Sequence, residues 1–287
     1  MKKKWVGIIS IVTLLTLGAC SNGEEQEAAE ETTDDQVIRV GSESADADIW
    51  RFVANSDAAE KAGLEIEVED IDGGAMKNNA TADGDIDANA FQSIGYLESY
   101  NEDSIEKLIP IATTYVEPMG VYSDKYEDID EVEDNAVVAL ADNPANTARG
   151  LRVLESAGLI ELNDDFDDGV GTPEDISKNP KNLEFNLIDD LTGPRVLQDV
   201  DMALISNTIA LEGGLNVLND AIYREEADES NRINLNIIAV REDRQDEEEL
   251  QQLGELYHDP EVQEYIEEEF DGTKVEVDLP ISNVWND

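Results

Sequence analysis

Cys20, Arg149 and His258 are the side chains whose type and setting invite chemistry. Cys20 is the single cysteine of the 287-residue chain. It follows Leu17-Gly18-Ala19 at the end of an apolar run that begins at Trp5, with Lys2, Lys3 and Lys4 ahead. A basic start, a short apolar stretch and small residues before the cut describe an export signal. The run falls short of the roughly 20 apolar residues a spanning helix needs. A leucine and two small residues before a cysteine predict a lipoprotein signal, in which the thiol is acylated with fatty acid such as palmitate. The plain alternative is an ordinary signal peptide that ends near a cysteine.

Basic residues are scarce enough for each to stand out: 19 Lys and Arg face 69 Asp and Glu. Arg149 follows Asn143-Pro144-Ala145-Asn146-Thr147-Ala148, at the expected opening turn of a helix. A planar, always charged fork beside free backbone N–H groups is a receptor for a carboxylate. An ordinary ion pair with a neighbouring acid explains the residue equally well. His258, in Tyr257-His258-Asp259-Pro260, reads as a solvated histidine between two helices rather than a catalytic base. Paired carboxylates carry no signal in a chain so rich in them. Asp164 to Asp175 places Gly169 at the sixth position of a calcium-loop template, but Phe166 holds a ligand position and Asp175 replaces the closing glutamate. A solvated acidic loop is the better reading. No GxSxG, P-loop, GxGxxG or CxxC pattern occurs, so the residues point to neither an enzyme nor a cofactor.

The formal charge of −50 excludes nucleic acid and anionic membrane surfaces as partners. Such a charge repels itself unless salt screens it, and the screening length at molar salt is only about 3 Å. The composition therefore suits a domain exposed to brine.

Residues 1–19 read as the signal peptide and 20–36 as a lipidated acidic tether without large apolar residues. Roughly 250 residues remain, enough for one large domain or two lobes. Val37 to Gly41, Leu64 to Val68, Leu108 to Ala112, Gly120 to Ser123, Val137 to Leu140, Leu183 to Ile188, Met202 to Ile205 and Asn234 to Val240 read as strands. Helices are expected over Ile49–Ala62, Asn78–Asp83, Ser93–Tyr100, Asn146–Ala157, Val196–Val200, Asp246–Tyr257 and Pro260–Glu269. Alternation of this kind predicts an α/β protein with mostly parallel sheets and a ligand site at the carboxyl ends of strands.

Gly84-Asp85-Ile86-Asp87-Ala88-Asn89-Ala90-Phe91-Gln92 resembles the signature of the NlpA-type lipoproteins, the methionine-binding components of ABC importers. The likeness continues through Tyr115–Ser123, Asn143–Asn146 with Arg149, Asn179–Leu183, Pro194-Arg195, Ala203–Thr208 and Asn236–Asp243. It implies a two-lobed periplasmic-binding-protein fold of the second type, with residues 37–115 and 237–287 as lobe I and 116–236 as lobe II. The chain should cross near Tyr115–Pro118 and near Asn236–Val240. Arg149 would grip the ligand carboxylate, Asn207 and Asn236 its amino and carboxyl groups. Phe91, Tyr96 and Tyr115 would wall the side-chain pocket, with Asn146 supporting the arginine loop. An ABC permease and ATPase would be the partners, and the outer face of the cell membrane the location.

The chain departs from the family at three places. Ser93 stands where members carry histidine, Gly74 where they often have tyrosine, and Ser206-Asn207-Thr208 where they read Asn-Thr-Asn. The first two changes are expected to enlarge or reshape the pocket, Trp50 either filling the space or sitting in the core. Another amino acid, or a small methionine-containing peptide, therefore stays open as ligand. A surface adhesion lipoprotein is the rival from a different class.

Overall fold

Runs of Val, Ile, Leu and Ala build two five-stranded sheets in this computed structural model, which describes residues 37–227 and 231–285. The expectations for residues 1–36, including Cys20, lie outside those residues. The strands are β1 (Val37–Ser42), β2 (Glu65–Asp70), β3 (Ala88–Ser93), β4 (Leu108–Thr113), β5 (Met119–Tyr122), β6 (Val137–Ala141), β7 (Glu184–Ile188), β8 (Met202–Ser206), β9 (Tyr223–Arg224) and β10 (Asn236–Arg241). The main helices are α1 (Ser44–Ala54), α2 (Asp57–Ala62), α3 (Gly74–Asp83), α4 (Ile94–Asp103), α5 (Pro144–Ser156), α6 (Asn207–Glu212), α7 (Glu248–Tyr257) and α8 (Pro260–Phe270).

The first sheet runs β2-β1-β3-β10-β4 and the second β7-β6-β8-β5-β9. In both, three neighbouring strands are parallel, and the fourth is antiparallel to the strands on either side of it. The fold class expected from the alternation is therefore present twice over. The chain leaves the first sheet after Thr113 and rejoins it at Asn236. On the outbound passage, Tyr115–Val116 forms a short antiparallel ladder with Val275–Glu276.

Each sheet has its own core. Val40, Ala88, Ile238, Val240, Leu253 and Trp50 lie together under α1, α7 and α8. Val121, Val138, Leu140, Leu151 and Leu204 do the same under α5. Fully burying one such aliphatic side chain is worth about 1.5–3 kcal/mol. Trp50 is 1% exposed, its ring centroid 6.0 Å from that of Tyr257, so it belongs to this core.

Two of the departures from the sequence reading have clear local reasons. The span Ile49–Ala62 splits at Asn55-Ser56 and begins earlier, at Ser44. The Ser56 hydroxyl donates to the Val53 carbonyl (2.7 Å) and accepts from the Ala59 N–H (3.1 Å), which ends one helix and caps the next. The turn expected over Val196–Val200 arrives earlier, as a 3-10 segment over Asp190–Val196 whose first N–H groups are met by Asp189.

The acidity predicts a measurable salt dependence. Dialysis from molar salt into dilute buffer is expected to remove much of the helical circular dichroism, as the screening length grows from about 3 Å to tens of ångströms. An unchanged spectrum would show that the charge serves something other than life in brine.

Candidate functional site

A cavity of about 310 Å³ lies between the two sheets. Its walls are the carboxyl ends of strands. β1 leads into Glu43 and Asp46, β3 carries Phe91 and Gln92, β6 leads into Asp142 and Asn143, β7 into Asp189 and Asp190, and β8 into Thr208. This is where open α/β sheets place ligands, and the volume sits at the low end of the ~300–1,000 Å³ usual for small-molecule sites.

Arg149 lines this cavity. Pro144 opens α5 and the Asn143 side chain accepts from the Asn146 N–H at 2.9 Å, so the helix starts earlier than expected and Arg149 lies in its second turn. The Arg149 side chain is 10% exposed. Its Nε donates to the Glu225 carboxylate at 2.7 Å, and Nη2 donates to the same carboxylate and to the Glu117 carbonyl (2.6 Å). Glu225 also accepts from the Met119 N–H at 2.7 Å, which fixes it in turn. Nη1 has no hydrogen-bond partner among the described residues. The two sequence readings of Arg149 thus meet: an ion pair aims the guanidinium, and its Nη1 is left for a ligand.

Phe91, Tyr96, Asn146 and Asn236 also reach the cavity wall. Phe91 and Tyr96 meet edge-on at 5.8 Å, and Lys77 lies 4.2 Å from the Phe91 ring centre. Asn207 and Tyr115 are placed elsewhere. Asn207 is fully buried and donates to Glu117 (3.0 Å) and Thr273 (3.1 Å). Tyr115 donates to Asp46 at 2.7 Å, with Lys274 3.9 Å from its ring centre. Both support the cavity from behind rather than walling it.

The departures at Gly74 and Ser93 have structural uses. A Cβ on Gly74 would come within 2.3 Å of the Tyr96 hydroxyl and 2.9 Å of the Phe91 ring. Tyr96 and Phe91 therefore pack against the backbone at Gly74, and all three residues line the cavity. Ser93 caps α4, its hydroxyl accepting from the Tyr96 N–H at 3.3 Å. Behind them, Asn78, Thr81, Asn89 and Gln92 form a buried network of side-chain hydrogen bonds that ties α3 to β3. The polar residues of the signature stretch thus hold the wall in place.

Sequence reasoning missed the buried charges. Lys274 is fully buried and donates to Asp46 (3.0 Å), Glu117 (2.9 Å) and Thr208 (2.7 Å). Burial alone would lower its pKa, but the two carboxylates outweigh that and raise it. Burial likewise pushes the Glu117 carboxyl up, yet Lys274 and the Asn207 amide hold it below the ordinary range. For Asp46, burial wins over the attraction of Lys274, and its pKa is raised. Lys77 is paired with Glu43 at 2.7 Å, and burial draws its pKa down despite that partner. Asp190 accepts from Asn143 (2.7 Å) and Asn146 (2.8 Å) through one oxygen, and burial pushes it up to about 6.

Outside the cavity, His258 is less solvated than expected. Its ring nitrogens lie 2.8 Å from Glu276 and 2.9 Å from the Thr113 carbonyl. In the loop from Asp164, Asp168 pairs with Arg152, Asp167 accepts from the Gly169 N–H, and the described residues hold no cluster of three metal-ligating side chains.

The family model for NlpA lipoprotein matches residues 38–277. The chain is 33% identical to the uncharacterized lipoprotein YhcJ of Bacillus subtilis, over 99% of this chain and 97% of that one. It is 34% identical to the D-methionine-binding lipoprotein MetQ of Salmonella typhimurium, over 95% and 97%. A nutrient-binding protein from Burkholderia cenocepacia solved bound to methionine superposes with a TM-score of 0.80 at 35% identity, covering 83% of this chain and 99% of that one. A match that spans both sheets in order leaves one assignment: the chain belongs to the NlpA lipoprotein family.

Proposed function

We propose that this protein captures methionine, or an amino acid close to it, and passes it to an ABC permease driven by an ATPase. The observation that carries the reading is the Arg149 guanidinium, fixed by Glu225 at an interlobe cavity with Nη1 left over. The methionine-bound relative supplies the ligand class. Residues 37–115 and 237–287 act as one lobe and 116–236 as the other, and lipid on Cys20 holds the protein at the outer face of the cell membrane. Phe91 and Tyr96 offer the polarizable aromatic wall that a thioether favours. Asn236 lines the same cavity and offers a side-chain amide to the backbone groups of an amino acid bound there. The subunit is a carrier: it binds and releases, and no bond is made or broken. A ligand touching both lobes favours the closed state by its difference in affinity for the two states.

Mass spectrometry of what co-purifies with the folded protein, followed by calorimetry with L- and D-methionine at high salt, tests this. Methionine in the purified protein, and a rise in melting temperature on its addition, are expected. An adhesion protein would show no shift with any amino acid or short peptide.

A further inference from the structure

The carboxylates buried against the cavity differ in one respect that the function so far leaves unused. Glu43 has Lys77 as its own cation, and Asp46 and Glu117 share Lys274. Asp190 has none among the described residues. Its Oδ2 is met by the neutral amides of Asn143 and Asn146, while its Oδ1 is buried with no partner at all.

Local charge makes the lack worse. Asp189 adjoins it in sequence and Asp142 lies at the end of the neighbouring strand β6, and both act on its carboxyl as like charges. Across the cavity, Tyr96 feels the charge of Asp190 together with those of Glu43 and Asp142, and all four residues line the chamber. From β8 and α6, which pack on the same segment, the wall receives Ser206, Thr208 and Ile209, and no cation. Arg149, the guanidinium of the wall, is already engaged by Glu225. A buried acid oxygen without a partner is costly, and a charge-assisted bond from a ligand ammonium removes that cost.

We propose that Asp190 receives the ammonium group of the bound amino acid while Arg149 receives its carboxylate. The proposal rests on the reading of the cavity as an amino-acid site. The free carboxyl, pushed up to about 6, must lose its proton to accept an ammonium, so affinity should fall as the pH drops below that value. The two amides that hold Oδ2 serve as positioning residues for this one carboxylate.

The test is calorimetry of the wild-type protein and Asp190→Asn with methionine and with 4-(methylthio)butanoate, its analogue without the amine. At about pH 7.5, Asp190→Asn should weaken methionine by about tenfold or more and change the analogue by less than about threefold. Between about pH 6 and 5, wild-type affinity for methionine should fall by up to about tenfold, and that of Asp190→Asn should stay flat. Equal weakening of both compounds, or a pH dependence that survives the substitution, would overturn the assignment and leave the cavity reading standing. Wild-type protein that binds no amino acid would overturn both. Circular dichroism of the variant confirms that it is folded.

Discussion

Arg149→Ala is expected to weaken methionine binding by about 3–5 kcal/mol, a hundredfold or more, because it strands a carboxylate in a desolvated cavity. The structure adds a second cost. Glu225 and the Glu117 carbonyl also lose their donor, so the cavity wall itself loosens. Arg149→Lys separates these effects. It keeps the charge but not the fork that meets Glu225 through Nε and Nη2 while leaving Nη1 free. Calorimetry should therefore show Arg149→Lys weakened as well, though by less than the alanine variant. Less than about tenfold weakening in Arg149→Ala would remove the guanidinium from the ligand's contacts.

Arg149 was legible because arginine is scarce here and because Asn-Pro-Ala-Asn announces a helix start, which the structure realises with Asn143 as cap. Strand alternation is local information too, and the β1, β6 and β8 spans emerge from it nearly unchanged. Lys274 was illegible for the opposite reason. Its partner Asp46 lies 228 residues away, and nothing around Gly272-Thr273-Lys274 marks the lysine as buried. Asp46 and Asp190 are, by sequence, two acids among 69. Only the fold shows which carboxylates have a cation beside them and which do not. The same holds for Gly74, where only the fold shows that Tyr96 and Phe91 are the side chains packed against the bare backbone.

Lys274→Met should be the most destabilising single change among the buried charges. It leaves Asp46 and Glu117 facing each other without a cation, an imbalance worth about 3–5 kcal/mol. For a chain of this size that lowers the melting temperature by about 10 °C. The pH dependence tells this apart from a simple packing defect. In the wild type, the depressed pKa of Glu117 stabilises the fold above its unfolded value of 4.5, and that contribution is lost as pH falls through the folded value. Lys274, with its raised pKa, stabilises fully below 10.5 and ceases to as pH rises through its folded value. Asp46 works in the opposite sense, since its raised pKa makes its charged form a burden above 3.8. Without Lys274 both acids are pushed upward, so acidification neutralises them and the gap between variant and wild type should narrow toward about pH 4. Molar salt should not narrow it, because ions do not screen charges held away from water. Thermal unfolding at about pH 7 and pH 4 reads both effects. A gap that stays constant with pH would mean that Lys274 acts through its volume alone. Asp46→Asn with Glu117→Gln, added to Lys274→Met, removes the stranded charges and should recover most of the loss.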